Sequence, residues 1–372
     1  MRRVYVSVIN DLVTDSRVHK VCLTLTNLGY EVLLIGRLLP DSLPMDERPY
    51  ASRRMRLIFK KGPLFYAFFN IRLFLFLLFR KKGLLVANDL DTLLANYLIS
   101  KIKRVPLVYD SHEYFTEVPE LKGRFAQKVW LAVEKRIFPR LKYVFTVNES
   151  IAGEYEKKYG VKPLVVRNLP SKKTAAVAPF SKAEVGMEEG KKVVILQGSG
   201  INIDRGGEEA VEAMAFVENA VLLIVGSGDA LPLLKKTVKD KGLENKVLFV
   251  PRQPRDMLYR YTAMADIGLS LDKDTNLNYR YSLPNKIFDY IQCGVPVLAS
   301  DLPEVAAIVR GYDVGMVLDE HSPAAVARAI NLMLDEDFKS KKAANIKKAA
   351  AELLWENDEK KLISIYSKFK DK

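Results

Sequence analysis

The sequence is poor in the residues that build redox and metal centres. Its 372 residues include two cysteines and three histidines. Cys22 and Cys293 lie far apart with no CxxC or Cys/His spacing, which supports neither a disulfide framework nor a zinc site and points to a reducing cytoplasm. A secretory leader is not expected, since RRVYVSVI is too short for a signal core and runs into a polar loop. The dinucleotide fingerprint GxGxxG is absent, as are a short repeat period, a low-complexity tract and any RNA- or DNA-binding signature, so nucleic acid is not an expected partner. Acid is missing from one long segment: Arg48 to Asn88 holds ten basic residues and no Asp or Glu.

What is present is apolar material for large cores. Hydrophobic residues make up 49% and charged residues 28%, which argues against a disordered chain, and the length suits two domains. The net charge of +13 is confined to one half: residues 1–170 hold 29 Lys/Arg against 16 Asp/Glu, whereas residues 171–372 hold 29 of each. VYVSVI, a helix from Ser16 closed by Gly29, and YEVLLIG read as strand, helix, parallel strand. The alternation continues through GLLVAND, VPLVYDSHE and YVFTVNES, and starts afresh with KVVILQGSG, AVLLIVGSGD, KVLFVP, ADIGLSLD, VPVLASD and GMVLD. The expected fold is α/β, with two Rossmann-like, doubly wound parallel-sheet lobes at 1–170 and 171–352. Residues 167–186 read as the linker. The amphipathic end, 353–372, either joins the first lobe or closes the second.

Ligands of open parallel sheets bind beyond the carboxyl ends of the strands, where helix N-termini favour anions. In LQGSGINIDRGGEEAVEAM, Gly198 lets a ligand approach and Arg205 stands before a helix; a diphosphate seat and a plain glycine-rich turn both fit. Gly226 in VGSGD either admits a ligand or turns the chain. In SLPNKIFDYIQCGVPVLASD, Asn285, Lys286 and Asp289 fall in the first turns of a helix starting near Pro284. Lys286 and Asp289 are three apart on one face, which fits a surface salt bridge or a clamp with the cation on phosphate and the carboxylate on vicinal hydroxyls.

These stretches, with VLFVPRQPRDMLYRYTAMADIGLSL between them and NDLVTDSRVHKVCLTLTNLGYEVLLIGR and LVYDSHEYF near the front, resemble the retaining GT-B glycosyltransferases of the GT4 family. The resemblance covers nearly the whole chain and implies two lobes facing a cleft. It implies donor diphosphate contacts at Gly198 and Arg205, ribose contact at Asp289, the turn ending at Asn285 and Lys286 under the diphosphate, and Arg252 and Gln253 beside the base. His112 would face the transferred sugar, although a structural hydrogen-bonding histidine beside Glu113 is the plainer reading. Two departures stand out. Tyr281 occupies the place of the first of the family's two glutamates, and Ser199 that of a frequent arginine; Lys286 is expected to supply the lost charge. The expected catalytic residues are therefore His112, Arg205 and Lys286. The donor set is Gly198, Ser199, Arg205, Gly226, Arg252, Gln253, Asn285, Lys286 and Asp289. Asp15, Arg17, Asn88 and Asp89 follow strands and are assigned to the acceptor side.

The implied reaction is transfer of a hexosyl unit from a nucleotide-diphosphate sugar to a glycan or lipid-linked acceptor, with neither metal nor cofactor. A nucleotide-sugar 2-epimerase and a silent membrane-bound scaffold of the same fold are the alternatives. PLFYAFFNIRLFLFLLF (63–79), flanked by KK and RKK, reads as a core helix or an interfacial one, since Asn70 and Arg72 interrupt it and a strand follows at once. The flanking cations favour contact of residues 48–88 with an anionic membrane, so a peripheral position at the inner face of the cell membrane is expected.

Overall fold

The computed structural model describes residues 2–40, 42–172 and 178–370, so residues 173–177 of the expected linker lie outside the described residues. The chain divides into two compact units, one comprising Met1–Asn168 with Asp358–Lys372 and the other Leu169–Asn357.

The first unit is built on strands β1 (Arg3–Ser7), β2 (Glu31–Leu38), β3 (Ala51–Arg56), β4 (Leu84–Asn88), β5 (Leu107–Ser111), β6 (Tyr143–Thr146) and β7 (Leu164–Val165). They form a parallel sheet of order β3-β2-β1-β4-β5-β6-β7. Its connecting helices are α1 (Ser16–Asn27), α2 (Pro63–Leu78), α3 (Leu90–Lys103), α4 (Phe125–Ile137) and α5 (Glu149–Tyr159). β4 and β5 read LLVAN and LVYDS and are buried throughout, as parallel strands covered on both faces must be. Right-handed crossovers put α1 on one face and α2, α3 and α4 together on the other; α2 packs on α3 and α3 on α4. β3 was not foreseen. ASRRMR buries one side chain, Met55, because an edge strand owes its place to backbone pairing with β2 rather than to apolar burial.

Helix α2 buries Phe65, Phe69, Leu73 and Leu77, one stripe at helical spacing, so the greasy segment is core on that side. Among the described residues no helix is long and apolar enough to cross a membrane.

The second unit carries β8 (Lys192–Gly198), β9 (Ala220–Gly226), β10 (Val247–Pro251), β11 (Ile267–Ser270), β12 (Val297–Ala299) and β13 (Gly315–Val317). All are parallel, in the order β10-β9-β8-β11-β12-β13. The helices are α6 (Gly207–Ala213), α7 (Leu231–Asp240), α8 (Arg255–Ala263), α9 (Leu277–Arg280), α10 (Asn285–Gln292), α11 (Pro303–Tyr312), α12 (Pro323–Met333) and α13 (Glu336–Glu352). Side chains alternate along β8: Val194 and Leu196 enter a core with Leu234 and Ile330, while Val193 and Ile195 enter another with Phe288 and Val309. The sheet is thus wound on both faces. The last helix, α14 (Trp355–Tyr366), begins in this unit, and its residues from Asp358 onward pack in the first. There the Asp358 carboxylate accepts the Arg167 N–H at 2.7 Å, and the Tyr366 carbonyl accepts the Tyr30 hydroxyl at 2.7 Å.

One buried ion pair ties α1 to the carboxyl end of β5. Arg17 donates through Nε and Nη2 to Asp110 at 3.1 and 2.7 Å and through Nη1 to the Val166 carbonyl at 2.7 Å. Both partners are buried. Removing one leaves a charge stranded in the interior, so Arg17→Met should cost about 3–5 kcal/mol in urea unfolding, and the double change with Asp110→Asn should cost less. A cost for Arg17→Met no larger than that of an exposed substitution would contradict this.

Candidate functional site

In the first unit, two residues expected near the substrates, Asn88 and Asp89, flank His112 at the carboxyl ends of β4 and β5. The Asp89 Oδ1 accepts the His112 backbone N–H at 2.8 Å, and its Oδ2 lies 3.4 Å from Nδ1. On the other side of the ring, Nε2 is 3.2 Å from Asn88 Oδ1 and 3.5 Å from Asp110 Oδ2. Asn88 is itself fixed, donating to the Ser7 carbonyl at 3.0 Å. Burial works against a charged imidazole here, but the Asp89 and Asp110 carboxylates outweigh it and raise the His112 pKa to about 9. That shift favours the protonated ring at neutral pH, in which both nitrogens are donors. Burial also penalises the Asp110 charge, yet Arg17 and His112 hold its carboxyl well below the usual range.

Asp110 was missed in the sequence because VYDS reads as a buried strand; an acid two residues before the histidine, inside an apolar run, was the signal. Arg17 spends its donors on Asp110 and Val166, so it is a buried positioning group rather than an open acceptor-side cation. Asp15 caps α1, accepting the Val18 N–H at 3.0 Å and the Asn10 amide at 3.1 Å. The contacts of the His112 ring are with Asp89, Asp110 and Asn88.

In the second unit the expected donor residues separate into two clusters. The first lies at the carboxyl ends of β8 and β11. Arg205 stacks on the Tyr279 ring at 4.5 Å and reaches Asp272 Oδ1 at 3.8 Å. Asp272 is buried, and neither carboxylate oxygen has a hydrogen-bond partner among the described residues. Lys286, in the first turn of α10, lies within electrostatic reach of both: burial lowers the lysine pKa, with Asp272 opposing that and Arg205 adding to it. The cluster is therefore two cations about one carboxylate, next to a helix start whose Pro284 cap provides no side-chain hydrogen bond. Sequence reading passed over Asp272, although SLD places it just past an apolar strand.

Asp289 belongs to the second cluster. Its Oδ1 accepts the Tyr259 hydroxyl at 2.6 Å and lies 3.8 Å from Arg255, and its Oδ2 accepts the Gln197 amide at 3.4 Å. The contacts of Asp289 come from Tyr259, Gln197 and Arg255, whereas the charges that act on Lys286 are those of Asp272 and Arg205, so the two residues face different surroundings.

The two glycines differ. A Cβ on Gly226, whose φ is +145°, would come within 1.8 Å of the Gly198 carbonyl oxygen, so packing of β9 on β8 alone demands glycine there. A Cβ on Gly198 meets nothing nearer than 3.8 Å, and its lack of a side chain is free to serve a ligand. Ser199 and Asn285 are exposed, as is Arg252; Gln253 turns back on the Pro251 carbonyl at 3.0 Å. Among the described residues no group of three or more His, Cys, Asp or Glu is arranged to hold a metal ion.

Comparison with known proteins fits this arrangement. Residues 15–169 match Glycosyltransferase Family 4, and residues 179–353 match Glycosyl transferases group 1. The chain belongs to the family 4 glycosyltransferases. A curated relative of this family 4 chain, N-acetyl-alpha-D-glucosaminyl L-malate synthase of Bacillus anthracis, is 27% identical over 42% of the chain and 40% of its own length. The aligned stretch thus spans less than half of that relative. Sucrose-phosphate synthase from Thermosynechococcus elongatus superposes with a TM-score of 0.82 at 17% identity, over 99% of each chain. Anabaena Alr3699/HepE in complex with UDP-glucose superposes at 0.76 and 15% identity, over 99% of this chain and 100% of its own. The fold is GT-B.

Two outcomes follow for this family 4 chain. Gly198→Ala should leave the melting temperature within a degree or two and Gly226→Ala should unfold the protein, both read by calorimetry; equal effects would remove the distinction between the two glycines. His112, raised from an ordinary value near 6.5, contributes stability that is complete below that pH and fades as pH rises through about 9. Wild type should lose on the order of 3 kcal/mol more than His112→Gln between pH 7 and pH 10. Parallel pH curves for the two would show that the histidine is not charged.

Proposed function

We propose that this protein is a metal-independent, retaining hexosyltransferase that moves a sugar from a nucleotide-diphosphate donor to a lipid-linked or cell-surface glycan intermediate, at the cytoplasmic face of the membrane. The observation that carries this reading is the set of two cations about one buried carboxylate, Arg205 and Lys286 with Asp272, beside the open backbone of Gly198 and the first turn of α10. Family membership supports it, and the UDP-glucose held by HepE supports a nucleotide-sugar donor.

In this reading the diphosphate meets Arg205, Lys286 and the α10 N–H groups, which take up the negative charge that grows on the leaving phosphate. Asp272 keeps the two cations from repelling each other before the donor arrives. Asp289 accepts the ribose hydroxyls while Tyr259 and Gln197 hold it in place. The bond from the sugar C1 to the phosphate oxygen breaks as the acceptor oxygen bonds to C1 on the same face. The acceptor proton passes to a phosphate oxygen, so no side-chain base is required. His112, held charged by Asp89 and Asp110, is assigned to the transferred sugar as a donor. Residues 48–88 bring the enzyme to an anionic membrane.

A thermal-shift panel of UDP-, GDP- and ADP-sugars tests the donor assignment, and stabilisation by none of them would sink it. Burial makes charged Lys286 unfavourable in the free protein, so Lys286→Met should raise the melting temperature while weakening donor binding at least about tenfold. Asp289→Asn should weaken it by a similar factor. Undiminished donor affinity in either variant would refute that residue's role. Turnover should survive EDTA, and proton NMR of the product should show the donor's anomeric configuration.

A further inference from the structure

The outward surface of the α2–α3–α4 layer carries two properties together. Large apolar side chains stand in solvent along it: Ile71, Leu75 and Phe79 on α2 and its end, Leu98 and Ile102 on α3, and Phe125 on α4. Phe79 is 83% exposed and Phe125 80%. Each row follows helical spacing, and the rows are adjacent because the three helices cover the same face of the sheet. The C-terminal ends of α2 and α3 are joined, with Lys103 Nζ donating to the carbonyls of Leu77 and Arg80.

Charge on this surface has one sign. Arg72, Lys81, Lys101, Arg124, Lys128 and Arg136 are exposed, whereas the two acids of these helices, Asp91 and Glu134, are buried. Glu134 is neutralised by Lys158 at 3.1 Å and accepts the Tyr159 hydroxyl at 2.6 Å. No exposed carboxylate lies on α2, α3 or α4. Where the layer ends, at the amino ends of β5 and β6, a recess is lined by Lys101, Arg104, Arg140, Lys142 and Tyr143, again without an acid.

We infer that the outward faces of α2, α3 and α4 form one docking surface for an anionic lipid bilayer, with phosphate headgroups seated in the basic recess. This extends membrane contact from residues 48–88 to a three-helix face and stands apart from the donor chemistry. Leu, Ile and Phe offer little to a nucleic-acid backbone, and a soluble protein partner is commonly met with charges of both signs; apolar tips set among unopposed cations match the acyl and headgroup layers of an anionic interface.

Vesicle flotation of the full chain tests the inference. Wild type should float with phosphatidylcholine vesicles containing about one-third phosphatidylglycerol, and not with phosphatidylcholine alone, and rising salt should release it. The variant with Leu75→Ser, Phe79→Ser and Ile102→Ser, all exposed, should lose at least about tenfold in partitioning. The variant with Lys101→Gln, Arg104→Gln and Arg140→Gln should lose most of the preference for anionic vesicles. Absence of wild-type binding at low salt, or undiminished binding of the apolar variant, overturns the inference. Self-association by light scattering that the apolar variant abolishes, without vesicle binding, assigns the face to a second copy and also overturns it. The thermal response to nucleotide-sugars should be unchanged in both variants; a wild type that floats yet binds no donor would sink the transferase reading and leave this one standing.

Discussion

The Asp110 carboxylate lies wholly inside the first unit, and much around it answers that one charge. A buried anion is tolerated when opposite charge and hydrogen bonds meet it. Arg17 meets it from α1 and simultaneously binds the Val166 carbonyl just past β7, so a single guanidinium draws a helix and two strands of the sheet together. His112 meets it from the other side, and the proton that this ring retains is a consequence of the same anion. The candidate chemistry of this unit is thus not an added feature; it completes the neutralisation of a strand residue.

The second unit solves a related problem with the opposite sign. Arg205 and Lys286 are brought near each other, and Asp272 lies against them without enough charge to balance both. What remains is a local positive excess next to a helix start, in a unit that carries no positive excess of its own. A diphosphate is the kind of group that settles such an excess. Asp289, one turn along the same helix, faces a tyrosine and a glutamine instead. α10 is therefore a divider: successive turns of one short helix serve two different polar surroundings.

Much of the architecture was legible because doubly covered parallel strands must be apolar, and runs such as AVLLIVG and LLVAN declare themselves. β3 was not, since its place depends on hydrogen bonds from a neighbour rather than on its own composition. The positions of Arg205, Lys286 and His112 beyond strand ends were legible from spacing. Their partners were not: Asp110 is 93 residues from Arg17, and Tyr259 is 30 from Asp289. Local spacing suggested Lys286 with Asp289 and His112 with Glu113, and in both cases contacts from distant strands and helices prevailed. Gly226 and Gly198 look alike in the sequence, and only the closeness of two backbones separates them.

Asp89 sits at the junction of β4 and α3 with φ of 58° and ψ of 167°, a region that only glycine occupies at ease. An aspartate there forfeits about 1–3 kcal/mol of folding stability, and it is kept in place by the imidazole ring and the backbone N–H that it holds. Backbone strain and charge therefore pull this position in opposite directions: glycine would relieve the first and forfeit the carboxylate that keeps His112 protonated.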